Sequence, residues 1–369
     1  MAADPAQARI RMRDPGPVSG HMPGYVRAAQ LVAHGGNPNM PGWNAQDIPD
    51  QSGRIAVVTG ANSGLGYVTA RELARKGARV VLACRSEARG NEAVGRLLAE
   101  VPDAIAEFWP LDLGNLGSVR EFVDELPYEG IDLLVNNAGV MALPHGTTVD
   151  GFETQFGVNH LGHFALTGLL FPRLLCTPGA RIVNLSSGAH ALGNIDIDDL
   201  NSERNYRRWT AYGRSKTANL LFTHELARRL AAVGSGVVAA AAHPGYAATN
   251  LQTAAPKMQG RKGAERFMEI GNRFFAQSAE AGALPTLYAA TAPDVRPDAF
   301  IGPRILGWRG APAKSWRASW TLNDQAGERL WAASERLTGV TYEGLKSKKR
   351  AAGRPRSGRR CGRPVRRYG

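Results

Sequence analysis

Tyr212 and Lys216 stand four residues apart in Tyr212-Gly213-Arg214-Ser215-Lys216, a spacing that puts both on one face of a helix. A free phenol titrates near ~10 and is a poor acid or base at neutral pH. A neighbouring ammonium favours the phenolate, so the pair is expected to bring the tyrosine toward its working range. Such a pair suits a carbonyl/alcohol couple, where an oxygen gains or loses a proton. Taken alone, Y-x-x-x-K is a spacing that arises often by chance. Its weight comes from a glycine-rich loop upstream and a serine lying between the two.

That loop is Thr59-Gly60-Ala61-Asn62-Ser63-Gly64-Leu65-Gly66. Arg54 to Thr59 before it reads as a short buried strand, and Tyr67 to Ala74 after it carries a helical pattern. A strand, a glycine turn and a helix N-terminus make a pyrophosphate cradle: glycine permits close backbone approach, and the helix end offers free N–H groups. Gly60, Asn62, Ser63, Gly64, Leu65 and Gly66 are therefore the candidate phosphate contacts. The next strand, Arg79 to Arg85, ends in Cys84 and Arg85, with no carboxylate before Glu87. An acid at this point would bind a ribose 2′-hydroxyl and repel a 2′-phosphate. Arg85 is the opposite choice and points to NADP(H), the alternative being a solvated loop charge. Leu111-Asp112-Leu113 is read as the close of a third strand, with Asp112 near an adenine edge. Ile131 to Gly139 is a fourth strand running into a polar turn. Asn136 and Asn137 there either cap a turn or clamp the floor under the cofactor, with Ala138 and Gly139 leaving room for a ribose.

Gly179 to Ser187 reads as a fifth buried strand ending in two serines, at the sheet edge where open parallel sheets bind ligands. Asn159 lies in a long apolar helical run, where a buried amide needs partners. The series T-G-x-x-x-G-x-G, N-N-A-G, the Asn of V-N-H-L-G-H-F, S-S, Y-x-x-x-K and His243-Pro244-Gly245 resembles the short-chain dehydrogenase/reductase superfamily, in order and across residues 59 to 245. Ala83-Cys84-Arg85, Val158 to Phe164 and the run from Tyr212 to Leu226 look closer to its retinol-dehydrogenase-like and protochlorophyllide-reductase-like branch. Trp43 to Gly53 looks like the entry segment of uncharacterised actinobacterial members.

The resemblance implies a single Rossmann-type α/β domain, a doubly wound parallel sheet with helices on both faces. It implies a catalytic tetrad of Asn159, Ser187, Tyr212 and Lys216. Tyr212 would be the acid in reduction and the base in oxidation. Ser187, rather than Ser186, would orient the substrate oxygen. Lys216 would depress the tyrosine pKa and bind the nicotinamide ribose, and Asn159 would hold a relay water. Pro244, Gly245 and Thr249, after a sixth strand at Gly236 to Ala242, would lie against the carboxamide. The 24 residues between Ser187 and Tyr212 include a polar stretch from His190 to Arg208, either a solvated loop or a rim around the substrate entrance. Leu251 to Gln277 mixes basic and apolar residues at a helical period and is read as core packing or as an amphipathic lid over an apolar substrate.

The net charge of +13 invites a polyanion reading, so its location matters. Residues 344–369 hold eleven basic side chains and no acid, and residues 1–42 add a small positive excess, leaving the body between them neutral. Both ends are expected to be disordered extensions around a domain at 43–343, with a lid at about 246–280. The tail could bind nucleic acid or an anionic surface without bearing on the active site. Cys84, Cys176 and Cys361 show no paired spacing, and the histidines share no metal-ligand spacing, so no disulfide, zinc site or other metal is expected. With no long apolar run, the chain is expected to be cytoplasmic, and superfamily habit allows a homo-oligomer. The resulting expectation is an NADP-dependent oxidoreductase acting on an aldehyde, ketone or retinoid-like substrate. The rival readings are a non-catalytic NADP(H) sensor or scaffold with a polyanion-binding tail, and a light-driven reductase.

Overall fold

A computed structural model of the chain describes residues 42–245 and 278–345. Thr249, the segment Leu251 to Gln277 and the basic stretch from Lys346 onward lie outside the described residues. Eight strands form one sheet: β1 Ile55–Thr59, β2 Arg79–Cys84, β3 Ile105–Pro110, β4 Leu133–Asn136, β5 Arg181–Leu185, β6 Val238–Ala242, β7 Phe300–Ile305 and β8 Arg309–Lys314. The helices are α1 Gly64–Arg75, α2 Glu87–Glu100, α3 Leu116–Glu125, α4 Gly162–Leu175, α5 Arg208–Ala232, α6 Ala279–Thr291 and α7 Asp324–Thr338. Strand order is β3-β2-β1-β4-β5-β6-β7-β8, parallel through β7, with β8 antiparallel at the edge. This is the doubly wound α/β architecture. Among the described residues no helix is long and apolar enough to cross a membrane.

The central strands are apolar on both faces because helices cover both. In β1, Val57 joins a core with Phe122, Phe164, Ile182 and Trp331. Its neighbours Ala56 and Val58 face the opposite core, with Leu73, Leu133, Val183 and Leu287. Alternate side chains of one strand thus feed two cores, as the period of two requires.

Two expectations about elements change. Leu111, Asp112 and Leu113 do not close β3, which ends at Pro110. Asp112 instead builds a turn, its carboxylate accepting from Gly114 N at 2.9 Å while its own N–H donates to Ser118 Oγ at 3.0 Å. A carboxylate that bonds its own backbone favours a turn over a ladder. The second change is in the apolar run around Asn159. Between a single helical turn at Thr154–Phe156 and α4, residues Gly157–Leu161 form a π-helical segment. Such bulges shift the register of the side chains that follow and recur at functional sites.

The glycine loop spans β1 and α1. Gly60 and Gly64 take φ of 65° and 54°, a region that other side chains enter only with strain. Gly66 has ordinary helical geometry but no free space, because a Cβ there would collide with Gly60 O and Asn137 Nδ2. Backbone oxygen cannot move aside as a flexible side chain can. Gly66→Ala is expected to lower unfolding free energy by about 1–3 kcal/mol through overpacking, measured by urea denaturation; an unchanged midpoint would mean that the loop yields.

Candidate active site

Sheet order reverses between β1 and its neighbours β2 and β4, so the carboxyl ends of β1 and β4 border a crevice. One hydroxyl joins the two strand ends. Thr59 Oγ1 accepts from Asn137 N and from Ala138 N, both at 2.9 Å. Asn137 Nδ2 returns a bond to Thr59 O at 2.7 Å. Asn137 is thus a clamp between strands. Asn136 turns the other way and donates to Asn184 Oδ1 and Thr167 Oγ1 under the sheet. The two adjacent asparagines therefore do different work.

The Thr59 proton has two possible acceptors, Val135 O at 3.4 Å and His163 Nε2 at 2.9 Å. The shorter contact makes Nε2 the acceptor, which places the ring hydrogen on Nδ1, 3.1 Å from Asn159 O. Burial lowers the His163 pKa to about 4, with Lys216 adding to the shift, so the ring is neutral at physiological pH. Asn159 itself is fully buried. Its Oδ1 accepts from Val140 N at 2.8 Å, and its Nδ2 donates to Val140 O and Ser215 Oγ, each at 2.9 Å. Every polar atom of that amide is committed, so any water it held would meet its main-chain carbonyl.

α5 carries the phenol and the ammonium. Its inward stripe runs through Tyr212, Lys216, Asn219 and Thr223, and Ser186 Oγ fastens it to β5 by donating to Lys216 O at 2.9 Å. Lys216 Nζ donates to Leu185 O at 3.2 Å, and Asn219 Nδ2 donates to the same carbonyl at 2.9 Å. Ser187 caps the 3-10 turn Gly188–Leu192, accepting from Ala189 N at 3.1 Å, and hydrogen-bonds the Tyr212 phenol. Of the two serines, Ser187 faces the phenol and Ser186 is structural. Gly139 lies opposite: a Cβ there would stand 3.1 Å from Asn159 Oδ1 and 3.5 Å from Lys216 Nζ. The structure therefore brings Asn159, Ser187, Tyr212, Lys216 and Gly139 together at one end of the sheet.

The electrostatics depart from the sequence-based expectation. The Tyr212 pKa is pushed up to about 12 by burial, against a small lowering from the Ser187 hydrogen bond. The Lys216 pKa is pushed down to about 8, also by burial. The ammonium sits 5.6 Å from the phenol ring centroid. Burial outweighs any pull of the ammonium on the phenolate, so the Tyr212 pKa lies above its ordinary value rather than below it.

Toward the far end of the crevice, Cys84 closes β2 and Arg85 reaches Asp112 Oδ2 at 3.9 Å, an exposed pair worth at most about 1 kcal/mol. Arg89, one turn into α2, acts electrostatically on the buried Cys84 thiol, so it lies at the same strand end. Sequence reasoning passed over Arg89, although a second arginine in the first turn after Arg85 was visible as a signal. Ser86 sits at the N-cap of α2 and makes no side-chain capping bond. Leu113 is buried against the start of α4, with its carbonyl where a Cβ at Gly162 would fall. Pro244 and Gly245 follow β6, and Gly245 N donates to His243 Nδ1 at 3.2 Å. The Gly193–Asp198 segment, with Arg214 and Arg329, lines a separate polar cavity of about 640 Å³ that holds none of the tetrad.

The short chain dehydrogenase family model matches residues 54–260. The chain belongs to that family. Among its relatives, mouse retinol dehydrogenase 12 is 42% identical over 294 residues, covering 79% of this chain and 88% of the relative. Human retinol dehydrogenase 13 is 43% identical over 297 residues, covering 78% and 85%. An uncharacterized protein of Mycobacterium paratuberculosis with a known crystal structure is 46% identical, with a TM-score of 0.68 covering 82% of this chain and 99% of that one. These relatives set the chain in the retinol-dehydrogenase-like branch of the short-chain dehydrogenases, a family of oxidoreductases that use NAD(P)(H).

Burying the Lys216 charge has a stability consequence. Between pH 8 and 10.5 the unfolded chain holds a proton that the folded chain has released, so stability rises with pH through that window and the penalty is complete below it. Lys216→Met is expected to raise unfolding free energy by about 1–3 kcal/mol at pH 7, a gain that shrinks above pH 10. Urea unfolding at the two pH values measures it, and a net loss at pH 7 would make the bond to Leu185 O the larger effect.

Proposed function

We propose that this short-chain dehydrogenase interconverts a carbonyl and an alcohol on an apolar substrate with NADP(H) as hydride carrier. The observation that carries the reading is the meeting of the Tyr212 phenol, the Ser187 hydroxyl and the buried Lys216 ammonium beside a glycine cradle. A nicotinamide dinucleotide fits this chain: Gly60 and Gly64 hold φ values that keep the cradle clear, and α1 presents its first N–H groups there. When bound, it supplies or accepts the hydride. Gly60, Asn62, Ser63, Gly64, Leu65 and Gly66 would hold the pyrophosphate. Asn137, Ala138, Gly139, Pro244 and Gly245 would wall the ribose and carboxamide, and Asp112 and Leu113 the adenine. Arg85 and Arg89, with the uncommitted Ser86 hydroxyl and the N-terminus of α2, make a site for a 2′-phosphate. That cluster favours NADP(H) over NAD(H).

Tyr212 works as the acid in reduction. A phenol with a pKa of about 12 is protonated at every physiological pH, and the alkoxide it would neutralise is more basic still. Ser187 orients the same oxygen. Lys216 would anchor the nicotinamide ribose and, through a water held at the Asn159 carbonyl, would pass a proton toward solvent. In oxidation Tyr212 must first lose its proton, so burial makes the oxidation rate rise with pH. The relatives named for retinol, together with a mouse polyprenol dehydrogenase 41% identical over 299 residues, support an elongated apolar alcohol or aldehyde as substrate class.

NADPH oxidation with medium-chain and isoprenoid aldehydes is expected to exceed NADH oxidation, and Tyr212→Phe to lower kcat by about 10²–10⁴ with coenzyme binding retained. Arg85→Glu should narrow or invert the NADPH preference. A Tyr212→Phe protein as fast as wild type would sink the acid assignment; an initial NADH preference would sink the 2′-phosphate site alone.

A further inference from the structure

The catalytic stripe of α5 does not end at Tyr212. Trp209 lies three residues before it, one turn nearer the helix N-terminus and on the same face. Its ring meets the Tyr212 ring edge-on, with centroids 6.3 Å apart and planes at 80°. Along the stripe, relative exposure goes from 4% at Asn219 through 5% at Lys216 and 7% at Tyr212 to 43% at Trp209. The stripe therefore runs from the protein interior to open solvent, and its outer member is a large aromatic surface. Leu192, also exposed, packs its Cβ near Gly213, one turn along from Trp209. Scattered exposed apolar side chains are ordinary and explain nothing singly. Here two of them flank the solvent end of a stripe whose buried end holds the reacting phenol.

We infer that Trp209 is a specificity-determining residue, its indole forming the apolar wall that takes up the tail of an elongated substrate whose carbonyl is held at Tyr212 and Ser187. The inference rests on the proposed reaction and adds the direction in which the substrate lies. A tail leaving Tyr212 meets the indole after about one helical turn, roughly 5 Å. Short substrates end before reaching it. Each methylene that the indole covers should contribute roughly fourfold to kcat/KM.

The test is the NADPH-dependent reduction of straight-chain aldehydes from butanal to decanal by wild type, Trp209→Ala and Trp209→Phe. Wild-type kcat/KM should climb with chain length. Trp209→Ala should lose tenfold or more on decanal, mainly through KM, stay within twofold on butanal, and keep the wild-type melting temperature; Trp209→Phe should recover most of the loss. Equal losses on butanal and decanal would make Trp209 a support for Tyr212 and overturn the inference, as would a Trp209→Ala protein that matches wild type throughout. Should wild type reduce no aldehyde, the reaction itself fails, and calorimetric titration of 1-decanol decides on Trp209 separately. At least tenfold weaker binding by Trp209→Ala then supports the wall, whereas equal or undetectable binding by both proteins overturns it.

Discussion

A buried polar group must find a partner, and at the centre of this site one hydroxyl meets that demand for three elements at once. Thr59 Oγ1 takes two backbone N–H groups from the end of β4 and gives its proton to His163. The ring passes the orientation on to the Asn159 carbonyl, and the Asn159 amide fixes the strand-end loop through Val140 and α5 through Ser215. Each link is directional, and a protonated imidazole would break the series because Nε2 could no longer accept. Burial prevents that by holding the His163 pKa near 4. Leaving any of these groups unpaired costs about 1–3 kcal/mol, so the glycine loop, the π-helical segment and α5 are fixed relative to one another.

The same demand explains which parts of the site were legible in sequence. Gly60, Gly64 and Gly66 were legible because strand, turn and helix chemistry leaves local marks, and so were the Tyr212–Lys216 spacing and the alternating strand and helix order. The role of His163 was not, since its partners lie 104 residues away at Thr59 and four away across a π turn. Periodicity marks that run only as apolar and helical. β8 was also missed: Arg309-Gly-Ala-Pro-Ala-Lys314 carries neither β-branched nor aromatic residues, and it forms only because β7 offers an open edge. An edge strand tolerates Pro312, whose missing N–H would disrupt a central one.

The pKa values of the site were the least legible of all. Spacing alone puts an ammonium beside a phenol and suggests mutual activation. The fold places both where charge is expensive, and that cost outweighs their attraction across 5.6 Å to the ring centroid. Proximity of two residue types fixes the sign of their interaction, but burial fixes how much of it survives. Tyr212 is thus kept a phenol and Lys216 is brought within reach of losing its proton near neutrality. A neutral phenol that still holds its proton, beside a buried amine whose pKa lies near 8, is the arrangement that the proposed reduction calls for.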